Sequence, residues 1–522
     1  MSIVALSLLA CGTGATADSG PVADYQLHLT PLVPLDQNPL ESVDRIDLLL
    51  DSGVGDPLRV TLDAPASGSS AEATDLPALE GTRVIVEGYS GGELVAWGRS
   101  APLTAQNGEV EATVFVSSPE TLGQLGGLAA PGAYGAGVTL GSGRFVYMGG
   151  VTNKGGAAVY GVDTVSLLDL DAPTEGLAFA EVGTMPEYLD AEGDTQTRRT
   201  HFTATPLTAG DAGQVLIVGG SPTLPYGNST QITSDVRLFD PETLTFGDAL
   251  PSKDQLATTR AGHVAIANQQ GGVLVWGGFS RASSGSISLQ RGGELYDPVA
   301  RGFDTVEGTT GAIGVAVGDL AEDGSLVAGG VDLTDDRPSL WYVSDACVII
   351  SLRGDSSTCS GMEAVAAQAM VGLSDGDVMS FGGVQPNGSL DQTASTAAVK
   401  TVWRYRKASG TWDEVGKMEL ARAGHTAVRL DDQFVLLAGG STTWGPFVTD
   451  DTALSCVEVY DTVNNTSTMV GTCTAEDVAG GMPSRALAPT AWFDPDLGVL
   501  LAGGLDGVND AVSTASFYPI AR

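Results

Sequence analysis

The chain is short of positive charge. Lys and Arg number 25 against 63 Asp and Glu, so the formal net charge is −38 over 522 residues, and no basic cluster interrupts this excess. A surface of this sign repels phosphate backbones. We therefore expect no nucleic-acid partner. Apolar residues make up 43% of the chain, which supplies a large core and excludes general disorder.

Motifs and residue types that carry metal chemistry are also scarce. The sequence has no phosphate-binding loop ending in Gly-Lys-Ser or Gly-Lys-Thr, and no His-Glu-x-x-His zinc motif. Of only four histidines, three follow an arginine by three positions, in the pairs Arg198/His201, Arg260/His263 and Arg422/His425. We expect no catalytic residue, no metal ligand and no cofactor. Acidic turns such as residues 190–194 leave Ca²⁺ as the one alternative, without the twelve-residue loop that binds it best.

Glycine, in contrast, is abundant at 70 of 522 residues. An apolar run followed by Gly-Gly recurs seven times at a mean spacing of 59 residues, which is typical of a fold built from repeated units. We assign these glycines a structural role and expect each doublet where a strand ends against the neighbouring unit, because close backbone approach and positive φ angles favour glycine. The doublets are Gly149/Gly150, Gly219/Gly220, Gly277/Gly278, Gly329/Gly330, Gly382/Gly383, Gly439/Gly440 and Gly503/Gly504.

The clearest copy of the unit begins at Arg422-Ala423-Gly424-His425, continues through an apolar run into Gly439-Gly440, and ends with a strand that closes on Tyr460-Asp461. The unit around Arg260 and His263 has the same order. This order resembles the kelch repeat, in which each unit is one four-stranded blade of a β-propeller. The resemblance implies an all-β fold with a seven-bladed propeller over residues 118–522, six blades being the alternative. In it, Arg260, His263, Arg422 and His425 are structural repeat residues.

The last repeat contains three strands only, whereas residues 120–126 match the outer strand of the repeat that holds Thr411 and Gly416. We predict that this segment closes the ring. Before it, residues 24–117 carry short alternating runs separated by turns, which predicts a small β-sandwich of the immunoglobulin-like or transthyretin-like kind.

The first residues form a short apolar run that ends in Leu8-Leu9-Ala10-Cys11. This ending resembles a bacterial lipobox and implies lipidation of Cys11, with residues 1–23 acting as signal and tether. The expected location is the bacterial cell envelope, at the outer membrane, in the periplasm or on the cell surface, with membrane contact through the lipid anchor alone. An incidental cysteine at a frayed apolar end is the alternative.

The four remaining cysteines fall into two pairs, Cys347/Cys359 and Cys456/Cys473, spaced 12 and 17 residues apart. The first member of each pair lies at the same distance past its Gly-Gly, within one residue. We predict two disulfides, each within one blade. A Zn²⁺ site made from the same four is disfavoured, because the short Cys-x-x-Cys spacing is absent. Disulfides also predict a location outside the cytoplasm.

These features predict an envelope-anchored binding or scaffold protein without catalytic activity, which uses the propeller surface to hold a protein or a glycan. The alternative is a sugar-processing enzyme resembling the kelch sialic-acid mutarotase, in which Arg198, Arg260, Arg422 and Arg485 would line the channel mouth. In either case the insertions at 184–198 and 221–234 are expected to carry specificity.

Overall fold

The computed structural model describes residues 6–10, 26–63, 70–73, 81–103, 109–141, 143–153, 159–190, 193–223, 231–251, 254–281, 287–307, 316–334, 337–360, 362–386, 390–391, 396–444, 452–471, 473, 482, 489–506 and 510–520. Cys11 and Arg485 lie outside the described residues, so the lipid anchor stays a prediction. The predicted domain boundaries after residues 23 and 117 also stay predictions.

The N-terminal part of the chain forms one hydrogen-bonded sheet, here called the N-terminal sheet. Its eight strands run in the order β4-β3-β6-β7-β8-β2-β1-β5. In β6, Val84, Val86 and Gly88 are buried, and the residues between them are only partly buried. This alternation is expected for a strand that packs one face against a core. The strands are β1 Leu6–Ala10, β2 Gln26–Leu32, β3 Arg45–Asp51, β4 Leu58–Asp63, β5 Ser70–Ala73, β6 Arg83–Ser90, β7 Glu93–Arg99 and β8 Glu109–Ser117.

Seven four-stranded antiparallel sheets follow, numbered here as sheets 1 to 7. Sheet 1 holds β10 Ala136–Gly141, β11 Arg144–Met148, β14 Thr164–Asp169 and β15 Ala180–Thr184. Sheet 2 holds β18 Thr203–Pro206, β19 Val215–Val218, β20 Val236–Asp240 and β21 Thr245–Phe246. Sheet 3 holds β22 Val264–Ala267, β23 Val273–Trp276, β26 Gly293–Asp297 and β27 Gly302–Val306. Sheet 4 holds β28 Ala316–Asp319, β29 Ser325–Ala328, β32 Cys347–Ile350 and β33 Ser356–Thr358.

Sheet 5 holds β34 Ala369–Gly372, β35 Val378–Phe381, β38 Thr401–Arg406 and β39 Thr411–Lys417. Sheet 6 holds β40 Thr426–Arg429, β41 Phe434–Ala438, β43 Val457–Asp461 and β44 Thr466–Met469. Sheet 7 holds β45 Thr490–Asp494, β46 Gly498–Ala502, β47 Ala515–Pro519 and, as its outer strand, β9 Gly123–Leu125 from the other end of the propeller segment.

The sheets form a ring. The first strand of each sheet contacts the first strand of the next, and β45 contacts β10. Second strands are buried throughout, as in β19, β23, β29 and β35, whereas the first strand β22 is only partly buried, because it faces the ring axis. The predicted all-β propeller fold is confirmed.

Insertions between second and third strands, and one between sheets 1 and 2, add small strands to this ring. They are β12 Val151–Asn153 with β13 Val159–Gly161, β16 Tyr188–Leu189 with β17 Thr195–Gln196, β24 Phe279–Arg281 with β25 Ile287–Leu289, β30 Val331–Thr334 with β31 Arg337–Val343 and β36 Leu390–Asp391, and β37 Thr396–Ala397 with β42 Thr443–Trp444. Short 3₁₀ turns occur at Pro39–Ser42, Glu175–Leu177 and Ala321–Asp323. In the described ranges no helix has the length and apolarity to cross a membrane.

The Gly-Gly doublets connect each sheet to its neighbour. Both glycines of all seven doublets have positive φ. In sheet 1, the N–H of Gly150 donates to the carbonyl of Arg199 at 2.8 Å, and a Cβ on Gly149 would lie 2.3 Å from that oxygen. A side chain there would therefore displace the backbone of the next sheet. The same hydrogen bond recurs from Gly220 to Arg260, from Gly330 to Val365, from Gly383 to Arg422 and from Gly504 to Gly132, and the same close approach recurs at Gly219, Gly329, Gly382 and Gly503.

The expectation that both glycines lie against the neighbouring unit needs a correction for the second one. A Cβ on Gly278 would lie 2.7 Å from the carbonyl oxygen of Ala261, which belongs to the same sheet 3. The carbonyls of second glycines also accept hydrogen bonds from their own sheets: Gly278 from Gln290 at 2.9 Å, Gly330 from Ser344 at 2.8 Å and Gly504 from Val512 at 3.0 Å. The missing side chain of the second glycine is therefore required by its own sheet. Its N–H group, where the acceptor is described, donates to the next sheet.

Two doublets can be described on one side only. The segments that would receive Gly277/Gly278 and Gly439/Gly440 at the start of sheets 4 and 7 lie outside the described residues. On the side of their own sheets, the N–H of Gly277 donates to the carbonyl of Gly292 at 3.0 Å, and that of Gly439 to Cys456 at 3.3 Å. For these two doublets the contact with the neighbouring sheet stays a prediction.

Two disulfides, Cys347–Cys359 in sheet 4 and Cys456–Cys473 in sheet 6, confirm the predicted pairing. Cys347 begins the third strand of sheet 4, and Cys456 directly precedes the third strand of sheet 6. Their partners follow the fourth strands, so each disulfide fastens the outer part of its sheet. Disulfides persist in oxidising compartments. They therefore indicate an extracellular or periplasmic location.

Candidate functional site

Buried arginines tie the entry of the first strand to the third strand in sheets 3 and 6. Arg260 Nε lies 3.1 Å from Glu294 Oε1, and Arg422 Nη2 lies 2.7 Å from Glu458 Oε1. The Nη1 group of each arginine donates to the carbonyl of the first doublet glycine of its own sheet, at 2.9 and 2.8 Å. Burial lowers the pKa of both guanidinium groups, and the paired carboxylates oppose that shift. These pairs are part of the repeat framework.

Sheet 2 departs from this framework. Arg237 pairs with Ile217 in the strand register, at the place where Glu294 pairs with Val275 in sheet 3. A positive side chain therefore replaces the framework carboxylate. Sheets 3 and 6 both have glutamate at this place. The other four sheets have neither glutamate nor arginine there, but Ser166, Val348, Trp403 and Ser516.

The carboxylate of sheet 2 comes from Asp235 instead, two residues earlier. Asp235 Oδ2 lies 2.5 Å from Arg199 Nη2 and 3.0 Å from Arg237 Nε. Arg199 is fully buried, and its guanidinium stacks 4.3 Å from the ring centre of Tyr188. Its Nε and Nη1 have no hydrogen-bond partner among the described residues. One carboxylate thus pairs with two arginines, and the carboxylates of Glu187 and Asp190 lie nearby.

The repeat register makes Arg199, rather than Arg198, the equivalent of Arg260. Thr200 bridges to the insertion of its sheet as Ala261 does in sheet 3, and each directly follows its buried arginine. Arg198 is exposed. His201 consequently lies one place earlier than the other two histidines, at a position with a φ of 53°. The Arg-x-x-His spacing was misleading here because sheet 2 begins with two successive arginines.

His263 packs between sheets. A Cβ on Gly219 of the preceding sheet would lie 3.0 Å from its Cε1, and its Nε2 lies 3.0 Å from Thr203 Oγ1. Phe202 and Gln368 fill the equivalent space against the first doublet glycines of sheets 1 and 4. Burial, with a smaller contribution from neighbouring positive charge, lowers the pKa of His263 to about 3.

His425 occupies the corresponding place in sheet 6, but both of its ring nitrogens are buried without a hydrogen-bond partner in the part of the chain that is described. The strand register explains the difference. Thr203 is the first residue of its strand in sheet 2, and Ala369 is the first residue of the corresponding strand in sheet 5. Alanine has no hydroxyl group to form the hydrogen bond that Thr203 forms with His263. Burial lowers the pKa of His425 well below its usual value.

A cleft of about 550 Å³ opens beside the Asp235 cluster. Its lining includes residues 187–189 and Thr195 from the insertion at 184–198, and Thr233 and Ser234 from the insertion at 221–234, the two segments predicted to carry specificity. Its lining combines carboxylates, an arginine, hydroxyl groups and leucines, the mixture that small polar ligands require. The lining residues are Glu187, Tyr188, Leu189, Thr195, Thr233, Ser234, Asp235, Arg237, Ala249, Leu250, Gln255 and Leu256.

The polar groups of the cleft differ in how fully they are engaged. The Tyr188 hydroxyl donates to the carbonyl of Arg198 at 2.7 Å, and burial raises its pKa. Gln255 accepts from the N–H of Val236 at 2.7 Å. Arg237 also donates to the backbone carbonyl of Glu187. The Glu187 residue itself is exposed at the rim, so its carboxylate is accessible to a ligand.

The channel mouth predicted to hold arginines is different. Arg260 and Arg422 are buried within their sheets, and Arg198 is exposed near the cleft. Apolar side chains from the insertions of several sheets pack together at the Gly-Gly end of the ring: Ile232, Phe279, Val331, Val343 and Val384. Arg260 and Arg422 therefore serve the framework, and the sheet 2 cleft is the better candidate site.

One motif-like string outside the propeller has no such role. Gly88-Tyr89-Ser90-Gly91-Gly92 has the Gly-x-Ser-x-Gly spacing of a hydrolase nucleophile elbow. In the structure Ser90 ends β6, and Gly91 and Gly92 form the hairpin turn into β7. A nucleophile elbow needs a turn from a strand into a helix, so this serine is not one.

No protein-family model and no curated protein matches the sequence. Solved structures do match. The structure of YjhT is 16% identical, with 66% of this chain and 99% of that chain covered and a TM-score of 0.45. A fungal alcohol oxidase of the AA5 family, solved with copper, is 14% identical, with 76% of each chain covered and a TM-score of 0.52. The likeness to the oxidase supports a kelch-like propeller fold.

The prediction of a protein without catalytic activity is contradicted by the fungal alcohol oxidase, an enzyme that shares this fold. The copper of the fungal enzyme is a separate question. Within the described ranges no group of three or more His, Cys, Asp or Glu side chains could hold a metal ion. The described part of the chain therefore offers no group of this kind for a copper ion.

Proposed function

We propose that the protein is an enzyme that acts on an acidic carbohydrate held in the sheet 2 cleft. The observation that carries this proposal is Asp235, which pairs with both Arg199 and Arg237 at the cleft of sheet 2. Of the three described sheets with a buried arginine at the entry of the first strand, sheet 2 has arginine at the register position where sheets 3 and 6 have glutamate. The AA5 alcohol oxidase, an enzyme with this fold, supports a catalytic use of the ring.

Arg237 is the cationic group that an anionic ligand would meet in the cleft, where it lies beside the carboxylates of Asp235 and Glu187. Arg199 is fully buried and pairs with Asp235 from behind the lining. A planar guanidinium group such as that of Arg237 is suited to paired hydrogen bonds with a carboxylate. Hydroxyl groups of Thr195 and Ser234 are placed to meet sugar hydroxyls, and exposed Leu189 offers an apolar contact for ring C–H groups.

The chemistry proposed is proton transfer at the anomeric centre, which opens and recloses the sugar ring. The Glu187 carboxylate takes the proton of the anomeric hydroxyl as the C–O bond to the ring oxygen breaks. The ring oxygen receives a proton from solvent, and closure on the other face reverses both transfers. Asp235 stays ion-paired and keeps the arginine of the cleft wall oriented. This step exchanges protons only, so no oxidant or reductant takes part.

The test follows anomer interconversion by NMR, with a nonulosonic acid, a uronic acid and glucose as substrates. We expect acceleration for an acidic sugar, a loss of at least 100-fold in Glu187→Gln, and a raised KM in Arg237→Gln. Arg301→Gln is the matched control, since the half-exposed Arg301 pairs with Asp211 and does not line the cleft. Binding without turnover would refute the reaction class, and no binding of any sugar would refute the proposal altogether.

The location proposed is the outer side of a membrane, with the chain held by a lipid on Cys11. The apolar run that ends at this cysteine and the two disulfides support it. Mass spectrometry of the mature N-terminus tests it: a diacylglyceryl cysteine is expected, and Cys11→Ser should release the protein from membranes. An unmodified Cys11 in the mature protein would rule the anchor out.

A further inference from the structure

The ring is closed by a strand that no short connection holds in place. β9 contributes three residues, in which Gly123, Gln124 and Leu125 pair with Phe517, Ser516 and Ala515 of β47. In sheets 1 to 6 the third and fourth strands follow each other in the chain, so a turn keeps them together. In sheet 7 the partners are almost 400 positions apart, and closure depends on non-covalent contacts alone.

The far edge of this closing strand is covered by the segment that follows β2. The N–H of Leu35 donates to the carbonyl of Gln124 at 2.8 Å, and the N–H of Gln124 donates to Asp36 Oδ1 at 2.9 Å. Gln37 Nε2 donates to the carbonyl of Leu122 at 3.1 Å. A Cβ on Gly123 would lie 2.4 Å from Pro34 Cγ, so the contact is close. The closing strand is thus bonded on both edges.

Two further contacts join the N-terminal sheet to sheet 7. Phe115 of β8 meets Phe517 of β47 edge to face, with ring centres 4.8 Å apart and both side chains buried. Arg83 of β6 binds Asp496 through two contacts, at 2.7 and 3.0 Å. Hydrogen bonds along a strand edge, an apolar contact and an ion pair therefore all join the N-terminal part of the chain to sheet 7.

We propose that the N-terminal sheet is a clasp for the propeller: it holds the closing strand in register, so that sheet 7 opens only when the clasp is released. This assigns the outer edge of β9 an interaction surface whose partner is residues 34–37 of the same chain. A sheet that served only as a spacer would need none of these contacts. The proposal is independent of the proposed enzyme activity.

Hydrogen exchange in the full chain, read by mass spectrometry, tests the clasp. The clasp variant combines Asp36→Ala with Arg83→Gln. The matched control combines Asp44→Ala with Arg99→Gln, because Asp44 accepts an N–H of Gly91 within the N-terminal sheet and Arg99 pairs with Asp51 there at similar exposure. The two variants remove the same types of group.

In the clasp variant we expect the amides of residues 123–125 and 515–519 to exchange about tenfold faster, because local opening sets their rate. The control should leave them unchanged. Equal acceleration in both variants, an acceleration spread uniformly over all sheets, or no change would overturn the proposal. If the double variant does not fold, Gln37→Ala gives the same comparison, with an increase of about threefold confined to the same amides.

Discussion

Acid should destabilise the propeller through the histidines buried between its sheets. Burial lowers the pKa of His263 to about 3 in the folded protein, against about 6.5 in the unfolded chain. Between these two values the unfolded state binds more protons than the folded state. The stability is therefore fully present above pH 6.5 and is lost as the pH falls toward 3. His201, with its pKa also lowered to about 3 by burial, acts in the same direction.

The magnitude follows from the two pKa values. Between pH 8 and pH 5 a histidine with these values loses about 2 kcal/mol of folding free energy, roughly a thirtyfold change in the unfolding equilibrium. The propeller itself offers the substitution that isolates this loss, because Gln368 fills the place of His263 in sheet 5. His263→Gln should remove about 2 kcal/mol of the acid-induced destabilisation, whatever it does to stability at pH 8.

The assay is urea denaturation at pH 8, 6.5 and 5, followed by tryptophan fluorescence; Trp276 of sheet 3 is fully buried. The informative quantity is the double difference between variant and wild type, and between pH 8 and pH 5. The contributions of the many carboxylates to the pH dependence are the same in both proteins and cancel in this difference. Gln368→His is the reciprocal control and should add acid sensitivity of the same sign. A double difference below about 0.5 kcal/mol would refute the role of this histidine.

Three further predictions concern the framework. Ala369→Thr should give the buried His425 of sheet 6 a hydrogen-bond partner and stabilise the protein by about 1 kcal/mol. The denaturation midpoint should rise, and an unchanged or lowered midpoint would contradict this prediction. Gly149→Ala should destabilise the protein by about 3 kcal/mol, because φ is 57° and the new Cβ would lie 2.3 Å from the carbonyl oxygen of Arg199. Gly183→Ala is the control: this glycine has open space around it and no positive φ, so its substitution should change stability little. Arg422→Met should cost about 3–5 kcal/mol, because the buried Glu458 would lose its positive partner and keep only its hydrogen bonds from Glu419 N–H and Ser467. Glu458→Leu added to it should restore much of that, and a double variant no more stable than Arg422→Met would contradict this account.

Much of the framework is readable from the sequence because its requirements are local. A doublet such as Gly439-Gly440 is needed wherever two successive residues have positive φ, so it recurs in the chain at each turn of the ring. The pairing of Cys347 with Cys359 is visible for a similar reason, since both lie within one short hairpin. Local backbone geometry leaves a pattern in a single stretch of sequence.

The candidate site and the closure of the ring were decided by tertiary structure. Asp235 supplies the carboxylate of sheet 2 from a position two residues before the usual one, and no residue spacing in the sequence predicts this. Two successive arginines precede His201, so the sequence alone did not show which of them is the equivalent of Arg260. The contact between Asp36 and Gln124 joins residues 88 positions apart. Such contacts depend on how whole sheets pack against one another, and packing over long separations leaves no periodic trace in the chain.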